Sequence, residues 1–142
     1  EHPAAHAAFS KSLQLARQAR HTWSMTYVMT GLGKSEIGLG DVENARLHLR
    51  QAAVLARKAK DRGIALVVIL ALASLYACEG KLEQAIELGA LVESHFSSWF
   101  ETRTHASALL KVLNEQMDPE KFQRAYDRGT ALNVWETVEQ LA

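Results

Sequence analysis

Few residues in this 142-residue chain have the types and spacing that chemistry needs. His2 and His6 are four apart, so on a helix they would share one face and could hold a metal ion. No carboxylate or third imidazole stands at a matching spacing, so no metal site is expected. His21, His48, His95 and His105 are scattered singly, and His95 would suit the negative end of a helix. Gly31-Leu32-Gly33-Lys34-Ser35 contains the Gly-Lys-Ser core of a phosphate-binding loop. The upstream glycine is misplaced for the full pattern, and no strand precedes it. Arg46, Arg50, Arg57, Lys58, Lys60 and Arg62 form a basic stretch. It reads as a solvated helix face in preference to a contact for an acidic partner. No aromatic residue interleaves it, which argues against single-strand nucleic-acid binding. Trp23, Trp99 and Trp135 fall near expected helix starts and read as packing residues. Cys78, the single cysteine, can form no internal disulfide and reads as a buried, inert thiol. No clustered acid and base remain, so neither an enzyme nor a cofactor is expected.

The elements that position these side chains are read as helices. Hydrophobic residues make up 48% of the chain, which allows a sizeable core. Both prolines lie where a helix can begin. Formal net charge is zero, so no overall charge points to nucleic acid. Residues 1–62 nevertheless carry ten Lys/Arg against five Asp/Glu, and residues 63–142 carry six against eleven. The longest apolar run, 64–73, is about half a membrane span. With no leader-like segment, a cytoplasmic setting without membrane contact is expected. The absent initiator Met and the abrupt helical start suggest a piece of a larger protein.

A shift of 40 residues aligns the chain with itself. Ala5/Ala45, Leu15/Leu55, Ala16/Ala56, Arg17/Arg57 and Ala19/Ala59 are identical. So are Leu32/Leu72, Gly40/Gly80, Glu43/Glu83, Ala45/Ala85, Lys81/Lys121, Ala85/Ala125 and Gly89/Gly129. Each unit reads as two antiparallel helices that leave an apolar face uncovered, so units must stack. In the second unit Met25, Met29, Leu32 and Glu36 share a face, Gly40-Asp41 breaks the helix, and Ala45, Leu49, Ala52, Ala53 and Ala56 line the return. The third repeats this around Ile69, Leu72, Ala73, Tyr76, Gly80, Leu82, Ala85, Ile86 and Gly89. In the tail, Asp118-Pro119 starts a helix that Gly129 ends, and Asn133 with Glu136 starts a last short one. The expected organisation is a half repeat at 3–20, repeats at 21–60 and 61–98, a degenerate repeat at 99–128, and a capping helix at 133–142 over the end of the stack. Phe9, Leu13 and Trp23 are then expected to be partly exposed or covered by another chain.

Leu32-Gly33, Gly40, Ala45, Leu49 and Ala52 resemble the tetratricopeptide signature, as do Ile69, Leu72, Ala73, Tyr76, Gly80 and Ala85. Glu36 at the tyrosine position, Gly89 at a large apolar position and the longer period depart from it. The segment GLGDVENARLHLRQAAVLARKAKDRGIAL is similar to the C-terminal repeat arms of large bacterial ATP-binding regulators, including LuxR-type activators. The resemblance implies an all-α solenoid of antiparallel helix pairs, capped at its C-terminus. It implies a protein–protein or effector-recognition module of a multidomain, signal-responsive transcriptional regulator. A free-standing scaffold of the same fold is the alternative, and a helical-bundle enzyme fits less well. Carried over residue by residue, the concave groove would be lined by Tyr27, Thr30, Lys34 and Ile37, then Val67, Leu70, Ser74 and Ala77. That set suits a protein or peptide partner, or other domains of the parent chain. Self-association through the N-terminal face is also expected; direct nucleic-acid binding is not.

Overall fold

A computed structural model describes residues 2–142, with the side chains of residues 2, 3, 5 and 9 outside that description. The His2–His6 pair, the Ala5/Ala45 match and the exposure expected of Phe9 therefore fall outside the described residues. The chain forms α1 (His2–Gly38), α2 (Val42–Ala59), α3 (Arg62–Cys78), α4 (Leu82–Ser94), α5 (Phe100–Glu115), α6 (Pro119–Thr130) and α7 (Val134–Leu141). Among the described residues there is no strand, and no helix is long and apolar enough to cross a membrane.

The turns after α1 and α3 share one geometry because they share one chemistry. Gly40 and Gly80 have φ of 81° and 78°, a region that costs any side chain with a Cβ. Asp41 N–H donates to the Glu36 carbonyl, and Lys81 N–H donates to the Tyr76 carbonyl, both at 2.9 Å. Gly40 N–H and Gly80 N–H each donate to the carbonyl three residues back, at 3.1 Å. These bonds satisfy the last carbonyls of each helix and reverse the chain. Helix starts are equally chemical. Asp41, Asp61 and Asp118 accept from the N–H three residues on. Pro119 opens α6, and Asn133 accepts from Trp135 and Glu136 N–H at 2.9 and 3.1 Å.

Most of α3 is buried, from Gly63 through Leu75 except Val67 and Ser74. Such a helix needs neighbours on nearly every side, and α1, α2, α4, α5 and α7 supply them. Polar ties lock the surround. Glu36 meets His48 at 2.6 Å between α1 and α2. Arg46 pairs with Glu79, holding α2 to the end of α3. Glu93 accepts from Ser107 Oγ at 2.6 Å and Tyr126 Oη at 2.7 Å, joining α4 to α5 and α6. Burial, reinforced by that bond to Glu93, pushes the Tyr126 phenol up to about 12.

Five expectations are corrected. First, no helix end separates 3–20 from 21–38, because α1 runs unbroken through Trp23. Arg20 and His21 carry neither a glycine nor an N-cap at the place where Lys60 (φ 55°) and Asp61 turn the chain between α2 and α3. Second, the inward face of α1 is Thr26, Met29, Thr30 and Gly33, while Met25 and Leu32 are exposed. Each buried threonine hides its hydroxyl by donating to the carbonyl four residues back, at 2.7 Å. Third, Gly129 does not end α6, which runs to Thr130. Its lack of a side chain lets α6 touch α4, since a Cβ there would fall 2.2 Å from the Glu87 carbonyl oxygen. Fourth, α7 does not lie over α5 and α6; it packs on α2 and α3, with Val134 and Val138 in their core. Fifth, Cys78, in the last turn of α3, is exposed rather than buried.

Gly129→Ala is expected to destabilise by about 2 kcal/mol or more, through overpacking against backbone. Gly40→Ala and Gly80→Ala are expected to cost about 1 kcal/mol each through φ strain. Gly31→Ala, in a helix with open space around it, should be neutral or stabilising. Denaturant melts of the four variants check the order.

Candidate functional site

The site is built on the face that α1 and α3 share. Trp23 and Tyr27 are four residues apart on α1, so their rings fall on one side. They stack at 5.6 Å with planes 7° apart. Trp23 in turn meets Trp99 at 6.1 Å. Trp99 immediately precedes α5 and lies over the first turn of α3. Gly63 makes that possible, because a Cβ there would sit 2.6 Å from the Trp99 indole nitrogen. Trp99, Trp23 and Tyr27 thus form an aromatic ledge that runs from the start of α5 onto α1. Tyr27, 53% exposed, is its outer step.

Beyond Tyr27 the ledge drops into a hollow of about 290 Å³ lined by Tyr27, Thr30, Gly31, Lys34, Ser35 and Val67. Four of the eight expected groove residues, Tyr27, Thr30, Lys34 and Val67, are brought together here. Lys34 is exposed and makes no ion pair among the described residues. Thr30 forms the floor, with its hydroxyl already given to the Thr26 carbonyl. The other four do not join the hollow. Leu70 is only 8% exposed and belongs to the core, so it offers no side chain to a partner. Ile37 and Ala77 are partly buried against the two apolar clusters. Ser74 is partly buried and donates to the Leu70 carbonyl at 3.3 Å.

The basic stretch is divided by its packing. Arg46 is tied to Glu79. Arg57, Lys60 and Arg62 rim a larger hollow of about 690 Å³ with Asp61, Trp135 and Glu139. One of its cations meets a carboxylate of the same chain, Arg57 reaching Glu139 at 3.8 Å. Around the corner, His95 ends α4. Burial, with a smaller contribution from the Arg62 charge, holds its imidazole below the ordinary value of 6.5. Its Nδ1 accepts the Ser97 N–H at 3.0 Å. Both observations favour a neutral ring at this helix end over the charged one that the dipole would suit.

The Gly31–Ser35 segment is helical throughout, with Gly33 packed on Leu49, so it has no loop to cradle a phosphate. No group of three His, Cys, Asp or Glu among the described residues could hold a metal ion. Trp23 and Trp99 were expected only to pack, and their ledge was not foreseen. The four-residue step from Trp23 to Tyr27 carried half of that signal. Trp99 joins through tertiary structure alone. Comparison of the chain with protein-family models, with characterised proteins and with solved structures finds no match.

The depressed His95 pKa fixes the sign of a pH effect. The unfolded chain takes up this proton first as pH falls, so stability contributed by neutral His95 is present above 6.5 and lost as pH drops through the folded value. An imidazole NMR titration should place the His95 midpoint below the ordinary 6.5. A His95 midpoint at or above 6.5 would contradict the packing described.

Proposed function

We propose that the chain is a recognition module that binds a peptide, or a peptide-like segment of a protein, along α1 and α3. The helix pairs α1–α2 and α3–α4 are read as stacked repeats of the tetratricopeptide kind, and the matching Gly40 and Gly80 turns support that reading. The observation that carries the function is the order of chemistry along one face. The ledge of Trp99, Trp23 and Tyr27 leads into the hollow beside Lys34. Aromatic faces take apolar or aromatic side chains, and an unpaired ammonium takes a carboxylate. The favoured ligand is therefore a short segment with a large apolar residue a few positions before a free C-terminus or an acidic side chain. The mode of action is binding and not catalysis. Its setting, as the recognition arm of a multidomain signal-responsive regulator, rests on the sequence resemblance.

A phage-displayed library of random peptides panned on the immobilised chain tests this reading. Enriched sequences should pair an aromatic or large aliphatic residue with a carboxylate. Tyr27→Ala and Lys34→Ala should each weaken the selected peptide by about tenfold or more, at roughly 1–2 kcal/mol per lost anchor. Both should leave the circular-dichroism melt nearly unchanged. Leu70→Ala is not a clean probe, because it opens a cavity in the core. Charge reversal of Arg57 and Lys60 should leave peptide affinity within about twofold, since rim charges far from the anchors contribute little. Loss of binding only in that last variant would move the site to the α2–α7 side.

A further inference from the structure

Among the described residues, the half of α1 that precedes Thr22 has no buried side chain, and the half that follows leaves one face bare. Every described side chain from Ser10 through His21 is exposed, Leu13 and Leu15 among them. On the packed half, Met25, Val28 and Leu32 are exposed in a row at helical spacing, with Val28 at 61%. Leu39, Leu47 and Val54 are exposed as well. The row of Met25, Val28 and Leu32 on an otherwise packed helix marks an interaction surface.

The chain itself shows what covers such a face. Forty residues on, Met25, Val28 and Leu32 become Ala65, Val68 and Leu72, all buried in the core that α2 shares with α3. The helix in the position of α2 would be residues 5–20, which carry Leu15, Ala16 and Ala19 where α2 has Leu55, Ala56 and Ala59. In an antiparallel pair, residues equidistant from the turn lie at one level. Ala53 then stands level with Val68, and Ala56 with Ala65, across the Lys60–Asp61 turn. The same register sets Leu13 beside Val28 and Ala16 beside Met25. Residues 5–20 cannot fold back onto their own helix, however, because α1 continues straight through Arg20 and His21.

We propose that a second copy of this chain supplies the cover. Two α1 helices lie antiparallel about a two-fold axis near Arg20 and His21. The free half of each fills the α2-like place on the packed half of the other. Both halves are about 25 Å long at about 1.5 Å per residue, so the exchange closes and leaves no open end. The opposite end of the chain is a poorer seat, since the exposed side chains of α6 beyond Pro119 are polar. The cost is like charge. Lys11, Arg17 and Arg20 come from both copies, but they are exposed and screened at physiological ionic strength. The inference rests on the repeat reading of the helix pairs.

Sedimentation equilibrium and cross-linking test it, and they separate its failure from failure of the repeat reading. In a Cys78→Ser background, copies carrying Leu13→Cys are mixed with copies carrying Val28→Cys. A short bismaleimide should join one of each. The full chain should sediment as a dimer at tens of micromolar. Met25→Glu with Val28→Glu should make it a monomer with unchanged helical signal. Arg20→Gly with His21→Asp installs the missing turn. It should also give a monomer. In one chain that carries both Leu13→Cys and Val28→Cys, the link between those two positions should then form internally. A monomer that carries Leu13→Cys and Val28→Cys without the installed turn, and already forms the internal link, would overturn the exchange and keep the repeat reading. A monomer that forms no link in any variant would overturn both. A dimer that survives Met25→Glu with Val28→Glu would overturn the exchange alone.

Discussion

The structure depends on burying α3, a helix with almost no polar side. Eleven of its residues, between Gly63 and Leu75, are buried. An apolar helix left in water costs roughly 1.5–3 kcal/mol per large side chain. Five other helices are arranged to remove that cost. The Gly40 and Gly80 reversals bring α2 and α4 back alongside. The Lys60 left-handed turn, unfavourable for a residue with a Cβ, is held because α2 and α3 cannot otherwise meet. Even α7 is drawn in to cover α2 and α3, with Val134 and Val138 buried there.

Much of this was legible where local chemistry is decisive. Gly40 and Gly80, the Asp caps, Asp118-Pro119 and Asn133 mark turns and starts that hold whatever the helices then do. The unread parts depend on tertiary context. The inward face of α1 carries Thr26 and Thr30, polar by type yet buried through hydroxyl bonds to their own helix. A pattern of apolar residues therefore pointed to Met25 and Leu32, which face out. The boundary placed at residue 20 followed the 40-residue shift, although Arg20 and His21 have none of the chemistry of the Lys60–Asp61 turn. The location of α7 follows from a bare patch on α2 and α3, which no local signal reveals.

The candidate site was half legible for the same reason. Register places Tyr27, Lys34 and Val67 on one face, and they do share a hollow. Register also equates α1 with α3, but α1 has solvent on one side and α3 is enclosed. Leu70 was over-assigned on that account. Trp99 was missed because it arrives from the start of α5, over the gap that Gly63 leaves. What would suit the face to the proposed recognition is the same close packing that buries α3. Trp99 and Trp23 are set against rigid helices, so a ligand ordering itself on them has little protein freedom to remove.

Recognition on the shared face of α1 and α3 is the claim most exposed to a single measurement. Amide NMR of the isotope-labelled chain, titrated with a peptide selected against it, tests it most directly. Saturable shifts are predicted at Trp23, Tyr27, Lys34, Val67 and the Trp99 indole, with α7 unmoved. Shifts confined to Arg57, Arg62 and Trp135, with the ledge silent, would contradict it.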